Sequence, residues 1–200
     1  MVTGREPILI WGAGAIGGTL GAYWARAGVP VLLVDVVADH VAACRTTGLE
    51  ITGPIETFKV VIPAVTPGEL EGSFQRIVLA VKAHATEPAL EQLGPHLAPD
   101  GFVLSAQNGL NEIAIARRIG SARTVGAFVN YGVDWLGRDA SSTATGVPWS
   151  SARSTAALAN AHARYTGYCR CSNRMLSSPA TSGATCGASS PMARCCSPPR

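Results

Sequence analysis

The feature that most constrains this chain is a glycine pattern set between a strand and a helix. Pro7-Ile8-Leu9-Ile10-Trp11 is a short apolar run, the pattern of a strand buried on both faces. It meets Gly12-Ala13-Gly14-Ala15-Ile16-Gly17-Gly18 directly. Ile16, Leu20, Tyr23, Trp24 and Ala27 then recur at three- and four-residue spacing, which predicts a helix stopped at Gly28. Each glycine has its own task. Gly12 permits a tight turn, Gly14 lets a pyrophosphate approach bare backbone, and Gly17 lets the helix close on the sheet. The amides of the first helical turn then face the phosphates. Gly-x-Gly-x-x-Gly alone also fits an ordinary strand-to-helix turn. Its place in a strand–helix–strand unit of about 30 residues is what points to a dinucleotide. Gly12, Ala13, Gly14, Ala15, Ile16 and Gly17 are therefore candidate cofactor-binding residues.

Val29 to Val34 reads as a second buried strand and ends at Asp35. That is where the fingerprint expects an acid to bind the adenosine ribose hydroxyls. A carboxylate there repels a 2′-phosphate, so electrostatics favour NAD(H) over NADP(H); the nearest downstream arginine is Arg45. The competing reading is a surface aspartate closing a strand. A weaker helix follows over 37–47, with Cys44 as a small buried apolar residue. Two extended segments come next, 49–52 and 57–64, bounded by Gly53-Pro54 and Pro67-Gly68. Arg76 to Val81 is another buried strand, followed by a helix over 85–97. Gly101 to Ser105 is a strand, 110–119 a helix, and Thr124 to Val129 the last clear strand. This alternation predicts an α/β fold: a doubly wound, mainly parallel Rossmann sheet over about residues 5–136.

Three motifs in order carry a resemblance to a known family over about residues 7–136. They are Gly12-Ala13-Gly14-Ala15-Ile16-Gly17-Gly18, then Val81-Lys82-Ala83, then Gln107-Asn108-Gly109. Together they resemble the ketopantoate reductase family, two-domain enzymes that reduce 2-dehydropantoate to pantoate with NADPH on the way to pantothenate. The resemblance implies that Lys82 lies near the nicotinamide and the substrate, and that Asn108 contacts both. A cation at the carboxyl edge of a sheet can hold a phosphate, a ribose hydroxyl or a substrate carboxylate. Without the resemblance, Lys82 reads as a solvated lysine and Asn108 as a turn former. His84 reads as a surface or capping residue. Asp35 departs from the family's usual NADPH preference.

The chain divides near residue 137. Residues 1–137 hold 9 of the 16 basic residues and 12 of the 13 acidic ones. Residues 138–200 hold 7 arginines and a single acid, Asp139. This last stretch has no Ile or Phe and only two Leu, too little large apolar surface to offset the entropy of ordering it. The expectation is a Rossmann domain over 1–137 and a disordered, low-complexity tail over 138–200, with a composition like that of GC-rich coding sequence read out of frame. The resemblance places the catalytic acid, a lysine, on a second, helical domain. This chain has only Lys59 and Lys82, so the catalytic residue stays unassigned.

Two functions follow: a reductase moving hydride from NAD(P)H to a 2-oxo acid, or a dinucleotide-binding fragment without turnover. A third is another Rossmann dehydrogenase of the β-hydroxyacid type. No Cys-x-x-Cys spacing suggests a metal, and His162 has no histidine partner. The tail's scattered arginines do not suggest nucleic acid. No signal peptide or membrane span is read, so a cytoplasmic location is the expectation.

Overall fold

Ile8–Trp11 form the central strand β1, and its alternating side chains seed two cores. Ile8 and Ile10 pack into one apolar cluster, Leu9 and Trp11 into another on the opposite face. A strand with both faces covered needs apolar residues at every position, which is why the run does not alternate. The computed structural model describes residues 6–53, 56–129, 132–136 and 141–145.

Helix α1 (Ala15–Arg26) follows, then β2 (Val31–Val34), α2 (Ala38–Thr46), β3 (Leu49–Thr52), β4 (Phe58–Val60) and β5 (Ala64–Val65). Strand β6 (Phe74–Leu79), helix α3 (Thr86–Leu93), β7 (Leu97–Ser105), α4 (Glu112–Ile119) and β8 (Thr124–Gly126) continue the alternation. Two short strands, β9 (Gly132–Trp135) and β10 (Ser141–Thr145), come last. Six strands build a sheet of order β5-β2-β1-β6-β7-β8 in which every pairing is parallel. The fold is α/β and Rossmann-like, as the sequence predicts.

One face of this sheet is covered by α3 and α4, through Ala89, Leu90, Leu93 and Ile115. The other face carries α1, and α1 is in turn covered by a second sheet of order β4-β3-β10-β9. That double covering buries α1 on most of its circumference, from Gly17 through Trp24. Its glycines make the close approach possible. A Cβ on Gly21 would stand 2.8 Å from Leu33 Cδ2, and one on Gly18 would stand 3.2 Å from Leu49 Cδ2 on the opposite side.

Two differences from the sequence reading have local causes. The helix expected over 85–97 is an eight-residue helix between two short 3₁₀ turns, Ala83–Ala85 and Gly94–His96. Gly94-Pro95 ends it, because Pro95 cannot continue an α-helical hydrogen-bond ladder. Strand β7 begins at Leu97, four residues early, with a register shift opposite Phe74 and Arg76 that absorbs Pro99. The extended segments 49–52 and 57–64 are found as read: β3 and β4 pair antiparallel in the second sheet, and β5 joins the main one.

The tail expectation also needs correcting at one point. Ser141–Thr145 lies inside the stretch assigned to disorder, yet it pairs parallel with β3 and antiparallel with β9. A ladder uses backbone groups, so small Ser, Thr and Ala residues suffice once neighbours are in place. Composition averaged over 63 residues does not register five of them. The rest of that expectation, 138–140 and 146–200, lies outside the described residues. No helix among the described residues is long and apolar enough to cross a membrane.

Candidate functional site

Because the six strands are parallel, their carboxyl ends share one edge. Short backbone bonds continue the ladder past the strand ends there. Gly12 N–H donates to Val34 O at 2.8 Å, Ala80 to Trp11 O at 2.8 Å, and Ala106 to Leu79 O at 2.8 Å. The strand order reverses between β1 and β6, so the crevice at the end of β1 is the topological switch point. Ligands of open parallel sheets bind there. Gly12 to Gly17 occupy it.

Gly12 has φ +99°, a region that excludes ordinary side chains, and its Cβ would also stand 2.9 Å from the Val81 backbone nitrogen. Gly17 is more constrained still: a Cβ would lie 1.9 Å from the Gly12 carbonyl oxygen. Gly14 differs from both. Its φ of −66° and ψ of −162° suit any residue, and a Cβ would meet no protein atom within 4 Å. Neither conformation nor packing accounts for a glycine here. Gly14 is also the N-cap of α1, and no side chain caps the helix or places an acid in its first turn. The amides that open a helix have no intrahelical partner and carry its positive dipole end. They belong here to Ala15, Ile16 and Gly17.

Asp35 sits just beyond β2 and reaches back to this turn. Ala13 N–H donates to its Oδ2 at 2.8 Å, and Val37 N–H donates to its Oδ1 at 3.0 Å. The carboxylate is thus fixed beside the turn with a lone pair left on each oxygen. No described cation pairs with it. Arg45, the arginine closest downstream, is engaged with Glu69 at 3.6 Å.

Lys82 follows β6 at the same edge, exposed and without an ion pair among the described residues. Asn108 follows β7, also exposed, in a turn whose Gly109 takes φ +110°. Asn111 Nδ2 donates to the Asn108 carbonyl at 3.2 Å and steadies that turn. His84 is exposed in the 3₁₀ turn and makes no catalytic pairing with a described carboxylate.

Two residues matter to this edge that sequence reasoning passed over as site residues. Gln107 is buried and ties the loops together: its Nε2 donates to Val81 O and to Thr86 Oγ1, each at 2.8 Å. It therefore holds the segment bearing Lys82 against the one bearing Asn108. His40 is 1% exposed on α2, and its Nε2 lies 2.8 Å from the Ala13 carbonyl oxygen. Nothing in the sequence marks it beyond its spacing of four from Cys44. Cys44 is buried as expected; burial, aided by the Asp35 charge, pushes its thiol up to about 11. It is no nucleophile at neutral pH.

Comparison with known proteins covers the same region. The family described as "Ketopantoate reductase PanE/ApbA" matches residues 8–147. A 2-dehydropantoate 2-reductase of Mesorhizobium japonicum is 34% identical over 143 residues, which is 61% of this chain and 44% of that one. One from Pyrococcus abyssi is 38% identical over 138 residues, 66% of this chain and 45% of its own. The chain therefore spans less than half the length of these relatives. Among solved structures, D-mandelate dehydrogenase in complex with NADH superposes with a TM-score of 0.59 at 25% identity, covering 70% of this chain and 44% of that one.

Proposed function

The chain belongs to the ketopantoate reductase family, and on that premise we propose that its glycine turn holds NADH or NADPH for the reduction of a 2-oxo acid. The observation that carries the reading is the open space over Gly14. A residue that neither backbone nor packing requires to be glycine is bare where a pyrophosphate would approach. The uncapped first turn of α1 adds amide donors and a positive dipole end on the same side. A bound nicotinamide supplies the hydride; the chain's own residues bind and orient. Asp35 accepts the adenosine ribose hydroxyls through its remaining lone pairs. Its charge disfavours a 2′-phosphate, and no described cation offsets it, so NADH is the preferred form.

Lys82 offers an ammonium group at the nicotinamide end of the edge, where it attracts the carboxylate of a 2-oxo acid. Asn108, across the same edge, offers amide donor and acceptor groups to the cofactor or the substrate. The family relatives make 2-dehydropantoate the first substrate to try, with pantoate as product. The full chain is titrated with NADH and with NADPH by nicotinamide fluorescence, and 2-dehydropantoate is then added while the reduced-nicotinamide absorbance is followed. Substrate-dependent loss of absorbance supports the reductase. Binding without oxidation restricts the chain to holding the dinucleotide, and no binding overturns the proposal.

A further inference from the structure

We infer that His40 is a positioning residue of the dinucleotide site: it fixes the peptide plane that aims the Gly14 N–H at the ligand. The inference rests on the dinucleotide reading above and adds a residue to it. Two consecutive peptide planes of the turn are held by side chains from outside it. Asp35 accepts the Ala13 N–H, which fixes the Gly12–Ala13 plane. His40 Nε2, at 2.8 Å from the Ala13 carbonyl oxygen, fixes the Ala13–Gly14 plane. In a trans peptide the C=O and N–H point in opposite directions, and the described residues contain no cis bond. Drawing the Ala13 carbonyl inward to His40 therefore turns the Gly14 N–H outward. That N–H meets no acceptor among the described residues, and the space over Gly14 is open.

The surroundings settle which ring nitrogen carries the proton. Nδ1 is buried without a hydrogen-bond partner. A proton on Nδ1 would leave an orphaned buried donor and set the Nε2 lone pair against the carbonyl lone pairs. The neutral ring with Nε2–H avoids both. Cys44 Sγ, at 3.7 Å from Nε2, and the edge-on Trp135 ring, with centroids 5.7 Å apart, hold the imidazole in place. The role needs a donor at the Nε2 position and no titration.

The test uses the full chain, with ADP-ribose as a pyrophosphate-bearing probe and adenosine as one without it. His40→Leu removes the donor; His40→Gln places an amide N–H near the Nε2 position. His40→Leu is expected to weaken ADP-ribose by about tenfold and leave adenosine unchanged, with His40→Gln restoring most of the loss. Equal ADP-ribose binding by wild type and His40→Leu, or an equal loss for both probes, overturns the role while leaving the dinucleotide reading intact. Wild type that binds no ADP-ribose overturns that reading and the role with it. Should His40→Leu not fold, ¹⁵N NMR of the wild-type imidazole decides: Nε2–H is expected, and an Nδ1–H tautomer overturns the inference.

Discussion

Replacing Gly14 by alanine separates what the glycine turn does for the fold from what it does for a ligand. The backbone there, at φ −66° and ψ −162°, accepts alanine, and the new methyl would have no protein atom within 4 Å. Lower entropy of the unfolded chain favours alanine by about 0.4–1 kcal/mol. Exchanging glycine, a good N-cap, for alanine costs roughly 0.5–1 kcal/mol and offsets most of that. The net change in stability is thus within about 1 kcal/mol of zero. The same exchange at Gly17 is different in kind. Its methyl would stand 1.9 Å from the Gly12 carbonyl oxygen, a backbone atom that moves only if the turn opens. That costs about 3 kcal/mol or more. Urea unfolding and NADH titration of the full chain give the two readouts. Gly14→Ala is expected to unfold at the wild-type midpoint but to bind NADH at least about tenfold more weakly, because the methyl occupies the phosphate's approach. Gly17→Ala loses both. If Gly14→Ala bound NADH with wild-type affinity, the claim that this position is kept bare for a pyrophosphate would be refuted.

Wild type should bind NADH more tightly than NADPH, and Asp35→Ala should narrow that ratio. The variant also loses bonds from Ala13 and Val37, at about 1–3 kcal/mol of stability. Equal or better NADPH binding by wild type would sink the electrostatic argument. Lys82→Met should leave the unfolding midpoint unchanged, since the lysine is exposed and unpaired among the described residues, while weakening 2-oxo acid or dinucleotide binding severalfold by titration. Alkaline pH should destabilise the fold. Cys44 rises from its ordinary 9.0 to about 11, and Tyr23 from 10.0 to about 12, chiefly through burial. The folded state therefore holds these protons more tightly than the unfolded one. The stabilisation is complete below about pH 9 and is lost as pH climbs to 11 and then 12. For Cys44 the loss is about 2–3 kcal/mol. Urea midpoints at pH 8 and pH 11 should fall less in Cys44→Ala than in wild type.

The main sheet was legible because a strand buried on both faces leaves an uninterrupted apolar run, as β1 and β2 do throughout and β6 and β7 do over 77–79 and 102–104. The glycine turn was legible because its residue types answer local demands: a positive φ at Gly12 and a close approach at Gly17. Asp35 was readable by its distance from that turn. Its grip on the Ala13 amide was not, since a hydrogen bond across 22 residues leaves no pattern in sequence. His40 escaped for the same reason, being a polar side chain whose meaning depends on a carbonyl 27 residues away. Gln107 stood inside a quoted motif, yet its work is to bond Val81 and Thr86 from another strand end. The second sheet was the least readable element. Its strands are short, and their pairing is set by which neighbours arrive rather than by any alternation within them.

That second sheet also imposes an order on biosynthesis. Ser141 pairs with Glu50 across about 90 residues of chain, a long-range closure of the kind that slows folding. During translation the six-stranded sheet is complete once Gly126 has emerged, but β10 is not available until Thr145. At roughly 5–20 residues per second, that interval lasts about 1–4 s. Throughout it, the outer side of α1 is covered by β3 and β4 but not yet by β10. A nascent chain at this stage already has the glycine turn and Asp35 set in a finished main sheet, while α1 waits for the last strand of its outer cover.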